Sequence, residues 1–106
     1  MAKSALSTDI TTLAAVVALQ RKGLPTSVKQ VFPMVRKVHK DITSARVGVT
    51  LRRLKEAGMV RRKGTDWDLP RGRPLFTYEA TGQGLQALEK AYRGIVILLE
   101  WQEGDV

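Results

Sequence analysis

The sequence predicts a mainly α domain that carries one small antiparallel β-hairpin and closes with a C-terminal helix. Three observations predict it. Four segments space their apolar residues with a helical period, and two short alternating runs flank a stretch bearing glycines and a proline. A length of 106 residues with 43% hydrophobic content suffices for one core and is too short for two comfortable ones.

The first helix is expected from about Asp9 to Lys22, with Ile10, Leu13, Ala14 and Val17 as its buried stripe. Ser7 to Asp9 offer N-caps, and Gly23 offers a left-handed stop. Arg21, Lys22 and Gly23 follow the apolar run where a signal peptide would place a small-residue cleavage site, so this segment reads as a helix of the fold. Leu24 anchors a short extended link, and Pro25 keeps it out of the helix.

In "TSVKQVF", Ser27 and Gln30 have the spacing of a capping box and open a second helix. Val28, Val31, Val35 and Val38 form its stripe, and Pro33 either kinks the helix or divides it in two. Thr43 or Ser44 caps the third helix, about 43–57, whose buried stripe is Val47, Thr50, Leu51 and Leu54 before Gly58 ends it. At about 100° per residue, Ala45, Arg46, Val49, Arg52, Arg53 and Glu56 lie on the other side.

"MVRRK" then reads as a strand with Met59 or Val60 turned inward, and "PLFTYEA" as its antiparallel partner. The intervening 64–73, with two glycines, Pro70 and two arginines, reads as an exposed hairpin tip. Phe76 and Tyr78 are expected in the core and in strand pairing, and Met34 and Met59 as gap fillers. A last helix starts near Thr81 and reaches about Trp101. Its seam of Leu85, Leu88, Tyr92, Ile95 and Leu99 suits a second helix. "GIVILLEW" is apolar on nearly every side, more than a small domain buries alone, which predicts a subunit interface that includes Val96, Leu98 and Trp101.

Charge narrows the function. The net charge is +8, and all of it lies between Arg36 and Arg73, where twelve Lys or Arg face four acids; the rest of the chain carries six of each sign. Such a concentration suits a surface that binds a polyanion. With no cysteine, disulfides and thiolate metal sites are excluded, and the lone His39 leaves no metal cluster and no histidine-based catalysis. No phosphate-cradling glycine loop, paired carboxylates or nucleophile with its base appears, so neither an enzyme nor a cofactor is expected. No stretch approaches the roughly 20 apolar residues of a membrane span. A cytoplasmic, nucleoid-associated location is the expectation.

The order of helix, helix, turn, helix, hairpin and helix is that of a winged helix-turn-helix domain, here 1–80, followed by an expected dimerisation element at 81–106, all within one compact domain. "SARVGVTLRRLKEAGMVRRKG" followed by "GRPLFTYEATGQGLQALEKA" resembles the winged-helix transcriptional regulators of the PadR group. The resemblance is carried by Leu51, Leu54 and Gly58 at the end of the recognition helix, by Gly72, Arg73, Pro74, Phe76 and Tyr78 in the wing, and by Thr81 and Gly84 after it. It covers roughly residues 8 to 92. MarR-type and ArsR-type regulators share much of the layout. The resemblance implies a homodimer joined through the C-terminal helix. A larger effector-binding C-terminal region is not implied, because only one helix follows the wing.

The residues themselves support double-stranded DNA as partner. A helix about 10 to 12 Å across fits the major groove, where the third helix is expected to present Ser44, Arg46, Val49 and Arg53 to base edges, with Val49 or Ala45 on a thymine methyl. Arg52, Lys55, Arg61, Arg62 and Lys63 are expected on phosphates, with Lys40 nearby and Thr43 and Ser44 adding helix N-terminal donors. Arg71 and Arg73 suit the minor groove or its rims. Trp67, between Asp66 and Asp68, reads as a packing or partner residue, and His39 as a solvated or phosphate-contacting one. Two other functions fit the same fold: an adaptor that binds a protein through Trp67, Val96, Ile97 and Trp101, and a non-specific architectural DNA-binding protein.

Overall fold

Apolar stripes and helix-stopping glycines divide the chain as follows: α1 Thr8–Arg21, α2 Val28–Arg36, α3 Ser44–Glu56, β1 Val60–Asp68, β2 Arg73–Ala80 and α4 Gly82–Gly104. The two strands form one antiparallel ribbon. This is the expected mainly α, winged-helix layout. The computed structural model describes the backbone of residues 7–68 and 73–104 and the side chains of residues 7–65 and 75–93.

Local chemistry sets the boundaries. Ser7 caps α1, its hydroxyl accepting the Ile10 N–H at 3.1 Å, and Thr43 caps α3 by accepting the Arg46 N–H at 3.1 Å. Both helices end in the same way. Gly23 and Gly58 take φ of 70° and 80°, and the next residues turn back, with Leu24 N–H on the Leu19 carbonyl at 3.0 Å and Met59 N–H on the Leu54 carbonyl at 2.9 Å. This is the six-to-one closure for which glycine is favoured. At α2 the expected capping box does not form. Ser27 holds the N-cap position, but its hydroxyl is buried and makes no cap bond. Pro33 lies within an unbroken α2, which rules out a division into two helices.

The buried stripe of α3 is the expected one, Val47, Thr50, Leu51 and Leu54. In α1, Leu13 and Val17 are buried as expected, but so are Thr11, Thr12, Ala15, Val16 and Leu19, while Ile10 and Ala14 are only partly covered. The reason is position: α1 touches α2, α3, β2 and α4, so little of its circumference is left for water. Val38 is exposed because α2 ends before it, and Leu24 is half exposed, with Thr26 buried in the link instead. One apolar cluster joins α1, α2 and α3 through Val16, Val31, Val35, Val47 and Leu51, and a second joins Leu13, Val17, Leu54, Val60 and Ala80; Tyr78 packs against both. Of the two inward candidates, Met59 and Val60, Val60 is the buried one and opens β1.

The ribbon is longer than expected. Pairing runs from Val60 opposite Ala80 to Asp68 opposite Arg73, with an irregularity between Arg62 and Gly64. Most of the segment read as a tip is therefore ladder. Gly64 marks a bulge, after which the β-forming Thr65 and Trp67 resume the strand.

Behind the ribbon, α4 is fastened by Thr81 and Gly84. The Thr81 hydroxyl donates to the Gly58 carbonyl at 2.6 Å and accepts the Gly84 N–H at 3.1 Å, while the Thr81 N–H reaches the Met59 carbonyl at 3.0 Å. A Cβ on Gly84 would stand 2.0 Å from the Met59 carbonyl oxygen. Gly84→Ala would gain about 1 kcal/mol of helix propensity, but the overlap is with backbone and outweighs it. We expect a net loss of about 2 kcal/mol and a melting midpoint lower by about 10 °C in a circular-dichroism melt. An unchanged midpoint would show that the turn yields freely.

Candidate nucleic-acid interface

With Val47, Thr50, Leu51 and Leu54 inward, the helical period turns Ala45, Val49, Arg52 and Glu56 directly outward, and all four are exposed. Thr43 and Ser44 are exposed at the N-terminus of the helix. The remaining polar residues of α3 fall on two flanks with different surroundings.

The first flank, with Arg46 and Arg53, faces the start of α1. Arg53 Nη1 lies 3.2 Å from Asp9 Oδ1. The two side chains are still 50% and 39% exposed, so the pair adds only about 0–1 kcal/mol to stability, but it ties the guanidinium to α1. Arg46 shares a shallow depression with Thr8, His39, Lys40, Asp41 and Ile42. His39, expected from sequence to be solvated or phosphate-contacting, is partly buried and acts as an anchor. Its Nε2 lies 3.0 Å from Thr11 Oγ1, and Thr11 donates its single hydroxyl proton to the Ser7 carbonyl at 2.9 Å. The ring must therefore donate through Nε2–H, which joins the turn before α3 to the start of α1.

The second flank faces the wing. Gly48, Arg52, Lys55 and Glu56 line one side of a groove, Val28 its end, and Arg62, Leu75, Phe76 and Tyr78 the other side. Arg62 stacks over the Phe76 ring, 3.7 Å from its centroid, and Phe76 is exposed rather than in the core as expected. Arg61 pairs with Glu79 directly across the ladder, Nε to Oε1 at 3.2 Å. Lys63, at the bulge, stands apart from this groove and lines a depression with Gly64, Thr65 and the link 23–26. No acid among the described residues pairs with Arg46, Arg52, Lys55, Arg62 or Lys63.

Two side chains that the sequence did not single out hold the wing. Thr26 accepts the Tyr78 N–H at 2.8 Å and donates to the Tyr78 carbonyl, so one hydroxyl satisfies both backbone groups of a strand residue. Gln20 Oε1 accepts the Ala80 N–H at 3.1 Å. No local pattern marks Thr26; the burial of a threonine next to Pro25 appears only in three dimensions.

Arg71 lies outside the described residues, as do the side chains of Arg73, Trp67, Ile95, Val96, Ile97, Leu98, Leu99 and Trp101. Of the expected interface on α4, Leu88 packs on the second core cluster, while Leu85 and Tyr92 are exposed. These three line a largely apolar groove with Ala14, Val17 and Ala18 of α1. Among the described residues, no group of three or more His, Cys, Asp or Glu is placed to hold a metal, and no helix is long and apolar enough to cross a membrane.

No protein-family model matches the sequence, and no curated protein matches it. Solved structures do. A Streptococcus transcriptional regulator superimposes with a TM-score of 0.66 at 12% identity, over 91% of this chain and 88% of that one. A PadR-like transcriptional regulator from Bacillus cereus gives 0.64 at 11% identity, over 91% and 87%. The transcriptional regulator BldR from Sulfolobus solfataricus gives 0.59 at 21% identity, over 93% of this chain but 61% of its own length. At these identities the likeness is one of fold.

The hydroxyl of Thr26 makes a local test of how the wing is held. Thr26→Val would strand both Tyr78 backbone groups at a cost of about 2 kcal/mol. Hydrogen exchange of the Tyr78 amide should quicken by roughly thirtyfold, with Ala80 following and the core amides of α3 much less affected. Equal protection in the variant would mean that the ribbon keeps its place without this clamp.

Proposed function

We propose that this protein is a homodimeric, sequence-specific double-stranded DNA-binding regulator of transcription, with α3 in the major groove and the wing along the adjacent backbone. The observation that carries the reading is the outward side of α3: it is free of the core, and Arg46, Arg52 and Lys55 on it have no acid partner among the described residues. The confinement of the whole +8 charge to residues 36–73 supports it, as does the regulator fold of the structural neighbours.

Geometry shifts the roles expected from sequence. Arg53 is drawn toward Asp9, so Arg52, on the outward line with Ala45 and Val49, takes the position from which a guanidinium reaches guanine O6 and N7. Ala45 and Val49 offer methyl groups to thymine, and Ser44 stands at the helix N-terminus, where backbone N–H groups favour a phosphate. Arg46 and Lys40 on one flank, Lys55 and Arg62 on the other, and Lys63 at the bulge outside the groove contact phosphates, which set register without reading bases. Glu56 repels phosphate and limits base contact to the first turns of α3.

Affinity for duplex should fall about a thousandfold between roughly 50 and 200 mM salt if six phosphates are neutralised. Arg52→Ala should flatten the preference for a selected site over random duplex by about tenfold or more, whereas Lys63→Ala should weaken all sequences alike. Fluorescence anisotropy against a selected site and a scrambled one reads both. Equal wild-type affinity for the two duplexes would replace the specific regulator with an architectural protein, and absence of binding at low salt would end the DNA reading.

The dimer rests on the groove between α1 and α4, where Leu85 and Tyr92 are exposed beside Ala14 and Ala18. A second copy's α4 is the occupant that the sequence pattern of residues 85–99 suits. Two recognition helices related by a twofold axis would then read half-sites about 34 Å apart. Light scattering should give twice the chain mass, and Leu85→Asp with Tyr92→Asp should give the single mass while α1 to α3 keep their fold. A wild-type monomer at micromolar concentration would remove this part of the reading.

A further inference from the structure

Phe76 is an apolar ring that the core does not use. It is 43% exposed, and Arg62 stacks over it with its guanidinium 3.7 Å from the ring centroid. That distance is face-on contact, well inside the roughly 6 Å at which such attraction fades. The only comparable contact among the described residues, Arg36 over Phe32, sits at 6.0 Å. Register explains the stack. Arg62 lies opposite Tyr78, and Phe76 is two residues from Tyr78, so all three share one face of the ribbon, the face that lines the groove beside α3. Arg52 and Lys55 line the same groove from the helix side. Three cations thus converge on it against one acid, Glu56.

We propose that Phe76 is a positioning residue that holds the Arg62 guanidinium in the groove, and that Arg62 and Lys55 clamp one strand of a nucleic-acid backbone between α3 and the wing, beside the Arg52 that reaches toward the bases. This rests on the DNA-binding reading above and deepens it. The physical reason is entropic. An unconstrained arginine loses much rotamer freedom when it grips a phosphate, and one already stacked on a ring has lost most of it beforehand. The ring covers one face of the guanidinium plane and leaves its N–H edge free for phosphate oxygens. Mutual repulsion of the three cations is relieved when an anion enters, so the groove is suited to a phosphodiester.

The test measures affinity of the full chain for one labelled duplex across a salt series, alongside the melting midpoint of each variant. Phe76→Leu should weaken binding by about fivefold, and Phe76→Tyr, which keeps the ring, should bind as the wild type does. Arg62→Lys keeps the charge but loses the planar stack, so it should show a loss similar to that of Phe76→Leu. In an Arg62→Ala background, Phe76→Leu should cost nothing further, because the ring acts only through the arginine. Arg62→Lys leaves the ring in place and reports even where Phe76→Leu disturbs folding. Wild-type affinity in Phe76→Leu or Arg62→Lys, or losses at positions 62 and 76 that multiply independently, would overturn the positioning role while leaving DNA binding intact. A wild-type chain that binds no duplex would overturn both together.

Discussion

The seating of one helix decides most of what this molecule presents to its surroundings. Val47, Thr50, Leu51 and Leu54 bury one side of α3 against α1 and α2, with three of them wholly inaccessible to water. Rotating α3 by even one residue, about 100°, would put Arg52 or Arg53 into that core and a valine into solvent. The cost of burying an unpaired guanidinium exceeds any plausible gain, so the orientation is set. From it follow the outward line of Ala45, Val49 and Arg52, the approach of Arg53 to Asp9, and the groove shared by Lys55 and the wing.

The wing needs a separate constraint, because a two-stranded ribbon has little stability of its own. Here its root is held at three points. Val60 and Ala80 are in the core, Thr26 satisfies both backbone groups of Tyr78, and Gln20 takes the Ala80 N–H. Two of the three holds come from α1 or the link after it. The same helix therefore orients α3 and the root of the ribbon, and the groove between them has a defined shape. Beyond Gly64 the ribbon extends away from these holds as a ladder of its own.

What could be read from the sequence was whatever depends on neighbours a few positions apart. The stripe of α3, the glycine stops at Gly23 and Gly58, the start of α4 at Thr81 and the order of elements all follow from local periodicity and cap chemistry. What could not be read depends on which distant residue arrives. Asp9 and Arg53 are 44 positions apart, Thr26 and Tyr78 are 52 apart, and His39 and Thr11 are 28 apart. Alternation placed Phe76 with Tyr78 on one face, which is right, but it could not say that this face changes from core to open groove within two residues. Likewise α1 carries more buried positions than one stripe because four elements surround it, and a count along a single helix does not reveal how many neighbours it has.

The placement of the acids completes the electrostatic picture. Asp9 and Glu79 pair with Arg53 and Arg61, and both pairs are partly exposed, so they add little to folding stability. Their larger effect is on the outside field. Each pair removes one unit of positive charge from the surface as a distant phosphate sees it, and each lies on a different element, α1 and β2, bordering the region of α3 and the groove. Among the described residues, cations without an acid partner remain on α3, at Arg46, Arg52 and Lys55, and on β1, at Arg62 and Lys63. A polyanion approaching this side would meet cations without acid partners along α3 and the facing wing, with Glu56 as an acid in the groove between them, and weaker attraction beside the Asp9 and Glu79 pairs. Attraction confined in this way favours one docking orientation over sliding contact with the whole basic segment, and orientation is what base reading by Arg52 and Val49 would require.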